Sequence, residues 1–272
     1  MSGKKRPGHQ AGSNLVELDD PKLWERVERH SEEIIDSIPN LQEYENLLEL
    51  FRSQQRRFFT KKELDQIILW KHTVGKSRPA NKKLMEQNSD FEVQEHTRSA
   101  IAVAVMIKVD EAICADGSLT VKGKKEVQDA IAHMDKLKGI GPAGSSAVLS
   151  LIRPDLFCYF FDEVIDCFEP KREYRVTTYL RVNNRCLQIA KKLGGEWTTN
   201  RVAKTIWIAA RFLSMYGDDL SSNNDITENV AEGGDEEENF YDGGNDVEVE
   251  EKKQAAVDVK PPQSKRLRNA KK

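Results

Sequence analysis

In the stretch LKGIGPAGSSAVLSLIRPDLFCYFFDEV, residues 137–164, a Gly-x-Gly turn leads into an apolar helical run and, beyond that, to Asp162. Gly139 and Gly141 bracket Ile140. Without a Cβ the backbone there can turn sharply, adopt φ > 0 and bring bare N–H groups close to a ligand. A phosphate suits such amides, and a helix opening at Pro142 aims the amides of its first turn at the same anion. Lys136 and Lys138 add positive charge beside them. A contact of this kind positions nucleic acid without reading its sequence. With a carboxylate just beyond, the order of groups suggests DNA chemistry. The same glycines also suit a plain helix-to-helix turn, and Asp162, standing before Glu163, Val164 and Ile165, also suits a helix N-cap.

A second cluster, Trp70, Lys71, His72, Gly75, Lys76, Arg78 and Pro79, places cations and an aromatic beside an expected loop. Lys76 and Arg78 would clamp a DNA backbone opposite the hairpin and His72 would carry a proton; alternatively, Trp70 belongs to the core and the cations form a solvated helix end. His30, His96 and His133 lack metal-ligand spacing and read as structural or surface residues. No metal site or nucleotide-cofactor loop is evident. The four cysteines, Cys114, Cys158, Cys167 and Cys186, contain no C-x-x-C pair, which argues against a zinc ribbon or an iron–sulfur loop, and they read as reduced core thiols.

The elements that must hold these groups read as helices. Asp19-Asp20-Pro21 marks a start, and Leu23, Trp24, Val27, Ile34, Ile35 and Ile38 suggest one amphipathic helix, followed by another over Leu41 to Phe51. Thr60 with Glu63 forms a capping box ahead of Leu64, Ile67, Ile68 and Trp70, and Ser89 with Glu92 forms a second, ahead of the apolar stretch Ala100 to Val109. Lys122 to Met134 lead into the hairpin, and Tyr174 to Leu193 and Thr199 to Met215, separated by Gly194-Gly195, close the domain. No alternating strand and no internal repeat is found, so the expected class is all-α.

The hairpin residues Leu137, Gly139, Ile140 and Gly141, the loop residues Pro154 and Phe157, and Asp162 together resemble the helix-hairpin-helix DNA glycosylase superfamily. Over most of the folded part, WKHTVGKSRP (Trp70 to Pro79), the helix around His96 to Ala104 and the hairpin resemble the eukaryotic Amun family, described as nuclear with a DNA glycosylase-like domain. The resemblance implies a glycosylase-like helical domain, nuclear residence and Asp162 as the catalytic carboxylate. Ala143 stands where bifunctional members carry a nucleophilic lysine, so the implied enzyme is a monofunctional DNA N-glycosylase without lysine-dependent lyase activity. Asp162 is followed by Glu163 and Val164 rather than by the usual Thr-His or Val-His. In such an enzyme the carboxylate would stabilise oxocarbenium-like charge on the sugar or orient water, and Tyr159, Phe160, Phe161 and Trp70 would line a pocket for a nucleotide taken out of the stack.

Composition places these parts in a larger chain. Of 272 residues, 38% are hydrophobic, enough for one core over the first four-fifths. The formal charge of −3 is uneven: residues 217–251 carry −14, residues 252–272 carry +7, and residues 1–216 carry +4. The expected organisation is a disordered arm over 1–18, an all-helical domain over 19–216 with its hairpin at 137–152, an acidic disordered tail over 217–251 and a basic end over 252–272. Lys265, Arg266, Arg268, Lys271 and Lys272 cluster as a nuclear import signal would, although a solvated basic terminus has the same pattern. No run reaches transmembrane length and the start lacks a signal-peptide core, so a soluble intracellular protein that does not engage membranes is expected. The favoured function is a nuclear DNA-binding protein on a glycosylase-like scaffold, with catalysis left open; the alternatives are a working monofunctional glycosylase using Asp162 and a non-catalytic all-α chromatin-associated protein. The partners would be DNA and, through the tail, chromatin proteins or import receptors; no cofactor is expected.

Overall fold

Local signals place most of the helix starts in the computed structural model, which describes Gly12, residues 14–17 and residues 20–217. The Asp20 side chain accepts from the Lys22 amide at 3.0 Å and Pro21 opens α1, Pro21–Glu28. After a break at Arg29 and His30 comes α2, Ser31–Asp36, then α3, Leu41–Ser53. Both expected capping boxes form, Thr60/Glu63 ahead of α4, Lys61–Val74, and Ser89/Glu92 ahead of α6, Asp90–Met106. Between them lies α5, Pro79–Met85. The remaining helices are α7 (Val109–Ala112), α8 (Val121–Met134), α9 (Pro142–Ile152), α10 (Asp162–Phe168), α11 (Val176–Leu193) and α12 (Thr199–Tyr216). Among the described residues there is no strand, only an isolated bridge between Ile113 and Leu119, so the fold is all-α.

Several expectations are corrected. The single helix through Leu23 and Ile38 is two, because the chain bends at His30 and lays the apolar residues of both pieces on α12. Residues 79–85, next to the expected loop, form a helix opened by Pro79. Residues 14–17, placed in the disordered arm, are helical and bury Leu15 completely. Cys114 is exposed rather than a core thiol, whereas Cys158 and Cys186 are buried. No described helix is long and apolar enough to cross a membrane. The acidic tail beyond Gly217 and the basic cluster at 265–272 lie outside the described residues.

Two helices organise the core. α9 is buried from Gly144 to Leu151 and packs on α3, α4, α6 and α8. Its serines are satisfied: Ser145 Oγ donates to Asp135 at 2.9 Å, and Ser146 Oγ accepts from the Phe160 amide at 3.1 Å. α12 is the second centre, against α1, α2, α10 and α11. The loop from α9 to α10 is buried yet not helical, so its backbone needs partners elsewhere. The Asn183 side chain accepts from the Cys158 amide and donates to the Leu156 carbonyl, and Asn200 accepts from the Tyr159 amide. These bonds hold Tyr159, Phe160 and Phe161 in front of α10 and fix where Asp162 emerges.

Candidate functional site

The turn from α8 to α9 is set by one glycine. Gly139 has φ +77, and a Cβ on it would lie 2.7 Å from the Asn81 carbonyl oxygen, because α5 is packed against it. Asn88, 4% exposed, pins the same turn through both of its amide atoms. It accepts from the Lys138 amide at 2.9 Å and donates to the Lys138 carbonyl at 3.0 Å. The Gly139, Gly141 and Ala143 amides have no hydrogen-bond partner among the described residues. Gly141 is open, with nothing within 4 Å of the position a Cβ would take.

Beside this turn lies a cavity of about 140 Å³, lined by Gly139, Gly141 and Ala143 from the hairpin and by Lys71, His72, Gly75, Lys76, Arg78 and Asn81 from the α4–α5 region. Tyr159, Phe160, Phe161, Asp162, Glu163 and Tyr174 complete it. The hairpin, the Trp70–Pro79 cluster and the aspartate, far apart in the chain, therefore meet at one place. Trp70 stands behind the wall: its ring lies 4.7 Å from that of Tyr159, and its Nε1 donates to Glu45 at 2.9 Å.

The hairpin residues divide. Ile140 is 6% exposed and turns inward, its side chain packing against Gly144, so its side chain belongs to the core. Lys136 and Lys138 are exposed but do not line the cavity, and the Lys138 amide is already used by Asn88. Lys76 and Arg78 do line it. Arg78 lies over the Tyr174 ring, 4.6 Å from its centroid, an arrangement that fixes the direction of a long side chain.

Asp162 is not the N-cap. Phe161 takes that position and Asp162 is the first residue of α10, with its carboxylate turned away from the helix amides. The Tyr174 hydroxyl donates to Oδ1 at 2.6 Å and Arg172 Nη1 donates to Oδ2 at 3.0 Å, leaving the side chain 19% exposed. Arg172 also forks onto Asp166, with Nε 2.7 Å from Oδ1 and a second contact from Nη2 to Oδ2. Burial, with the hydrogen bond to Asp162, pushes the Tyr174 phenol up to about 12, so it remains a donor at neutral pH.

Two groups to which the sequence analysis gave no role of their own, Glu163 and the Lys71 of the second cluster, share the cavity with Asp162. Burial pushes the Glu163 carboxyl above its ordinary range, although Arg211 Nη2 lies 3.1 Å from Oε1; Oε2 is buried without a partner. Lys71 sits in the last turn of α4. Burial, then the charge of Arg78, hold its amine below the ordinary lysine range, while Asp162 acts the other way. The aromatic and cationic company of these two residues was visible in the sequence; their burial was not.

His72 gives a test of this environment. Burial, then Lys71 and Arg78, hold its imidazole below the ordinary value, and its Nε2 is buried without a partner. Below the ordinary pKa of about 6.5 the unfolded chain binds a proton that the folded protein resists, so stability falls as pH drops through that window. His72→Gln should therefore lose less stability than wild type between pH 7 and 5, read as a smaller fall in Tm over that range. Parallel melting curves for the two proteins across this range would show that the ring protonates freely in the fold.

Comparison with protein-family models, with known proteins and with solved structures finds no match.

Proposed function

We propose that the chain is a nuclear DNA-binding protein on a helix-hairpin-helix, glycosylase-like scaffold, with an extrahelical nucleotide entering the cavity while the hairpin and surrounding cations hold the backbone. The observation that carries this reading is convergence: the open Gly141 amide, Lys76, Arg78 and the aromatic walls all border one space. At about 140 Å³ it is close to the ~150 Å³ apolar cavity that takes up benzene, so one ring is the right scale of occupant. Phosphates suit the free amides and cations outside, and a flipped base suits the aromatic walls inside. The resemblance of the hairpin segment to DNA glycosylases supports the same reading, and the basic terminal cluster supports nuclear residence.

One observation favours a monofunctional N-glycosylase as a second reading. Asp162 lines the cavity and is held rigid by two donors, as a carboxylate that stabilises developing positive charge should be. Because both oxygens are engaged, that electrostatic role suits Asp162 better than deprotonating water.

The test is binding of duplexes with one mismatched or unpaired base against a fully paired duplex, over a range of salt. Affinity should fall steeply with salt, favour the unpaired base because it costs less to unstack, and lose about two units of log–log slope in Lys76→Gln/Arg78→Gln. Salt-independent association, or a slope indifferent to these two residues, would point instead to an all-α interaction protein. Release of free base that Asp162→Asn abolishes without loss of binding would select the glycosylase.

A further inference from the structure

We infer that a groove at the end of α9 remote from the hairpin is a docking site for an acidic peptide that carries an apolar anchor. The inference stands apart from the nucleotide cavity. Pro142, the first residue of α9, lines that cavity, whereas Leu151 and Ile152, its last two, line the groove. The 11 residues of the helix put about 16 Å between the two places. The groove encloses about 630 Å³, within the ~300–1,000 Å³ of sites that hold a compact ligand. Its floor is apolar, made by Ile101, Ala102 and Val105 of α6 with the two α9 residues. Its rim is cationic. Arg52 sits in the last turn of α3, Arg56 and Arg57 follow just beyond it, and Arg98 stands on α6. Arg98, Ile101, Ala102 and Val105 share one face of that helix by spacing, so charge and floor run side by side.

The rim selects the charge of the partner. Among the described residues no carboxylate lines the groove. Arg52 and Arg56 are answered from outside it, by Glu49 at 2.9 Å and Glu63 at 2.7 Å, while Arg57 and Arg98 have no carboxylate partner among the described residues. All four cations are arginines, whose planar fork matches a carboxylate through two bonds. Two of them are already aimed. The Arg98 guanidinium lies 4.8 Å from the centroid of the Phe58 ring, and that of Arg56 lies 5.3 Å from that of Phe51. An arginine fixed before binding loses less rotamer freedom when it takes a carboxylate. The floor decides between a peptide and a nucleic acid. Val105 is 50% exposed and Ala102 is exposed beside it, and covering them is favourable only if the occupant brings apolar surface of its own. A phosphodiester backbone brings none. A peptide with a leucine or phenylalanine between carboxylates brings both, filling the groove with the side chain and meeting the arginines with its charges.

The experiment is titration of the full chain into a fluorescein-labelled synthetic peptide, Asp-Glu-Glu-Leu-Phe-Glu-Asp-Glu, read by fluorescence anisotropy, with a thermal melt of each variant alongside. Saturable binding is expected. Arg57→Gln/Arg98→Gln should weaken it about tenfold, and Val105→Asp, at a half-exposed position, should do the same through the floor, each with Tm unchanged. Replacing the Leu-Phe pair of the peptide by Ser-Ser should also cost about tenfold and requires no change in the protein. Lys125→Gln on α8 should bind as wild type does. Absence of saturable binding overturns the inference. Binding indifferent to Val105→Asp and to the Leu-Phe pair overturns it too, and a groove that a paired duplex then fills through the same two arginines is a nucleic-acid surface.

Discussion

Gly139→Ala should destabilise the protein by about 2–4 kcal/mol, whereas Gly141→Ala should change stability by no more than about 0.5 kcal/mol. Gly139 holds φ +77, where an L side chain is strained, and the new methyl would sit 2.7 Å from the Asn81 carbonyl. Neither neighbour can retreat cheaply. Asn81 belongs to α5, and the preceding residue of the hairpin, Lys138, is pinned by both amide atoms of Asn88. Gly141 is extended, with open space where its Cβ would be, so the fold tolerates alanine there. The added methyl would instead crowd the amide at the cavity edge, and DNA affinity should fall about tenfold, some 1.4 kcal/mol. Urea unfolding of the two variants beside a DNA titration separates the effects. Equal destabilisation by the two alanines would mean that α5 does not hold the turn.

Arg172→Ala should cost about 2–3 kcal/mol, or roughly 5–10 °C in Tm, and should also loosen Asp162. The Asp166 side chain is 1% exposed, and its carboxylate takes the fork of Arg172. Removing one partner of a buried pair costs about 3–5 kcal/mol where the remaining charge has no other contact, and Asp166 keeps a further one. Arg172 is itself 35% exposed, so water shares the load and the lower figure is expected. Arg172→Lys restores charge but not the fork and should recover about half of the loss. Asp162 would keep Tyr174 alone, so the same alanine should reduce whatever activity or ring binding depends on the orientation of Asp162. A calorimetric Tm within 1 °C of wild type would show that Asp166 is not held by this arginine.

The helices could be read largely from their starts. Thr60 with Glu63, Ser89 with Glu92, and Pro142 behind Gly141 are short-range signals, and the chain obeys them because the bonds they make are local. The break at His30 could not be read that way. The apolar spacing through Leu23 and Ile38 suits one straight helix, and only the shape of α12 beneath it makes two preferable. The site divides in the same manner. Gly139, Gly141, Lys76, Arg78 and Asp162 were legible by residue type, but the inward turn of Ile140, the capture of the Lys138 amide by Asn88 and the Arg172–Tyr174 cradle of Asp162 are tertiary facts. Lys71 and Glu163 differ from their exposed counterparts chiefly through burial, which residue spacing in this stretch does not encode.

The helices against which α9 packs, α3, α4, α6 and α8, all precede it in the chain. As the polypeptide leaves the ribosome, each of those partners is already available when α9 emerges, so the turn at Gly139 can be locked against α5 at once. The opposite wall, with Asp162, Glu163 and Tyr174, comes later and takes its position from Asn183 and Asn200, later still. Vectorial synthesis therefore builds the phosphate-facing half before the carboxylate-bearing half. A nascent chain halted between Ile152 and Asp162 would hold the turn without the acid, so the buried carboxylates would meet the cations around them only as the last helices arrive.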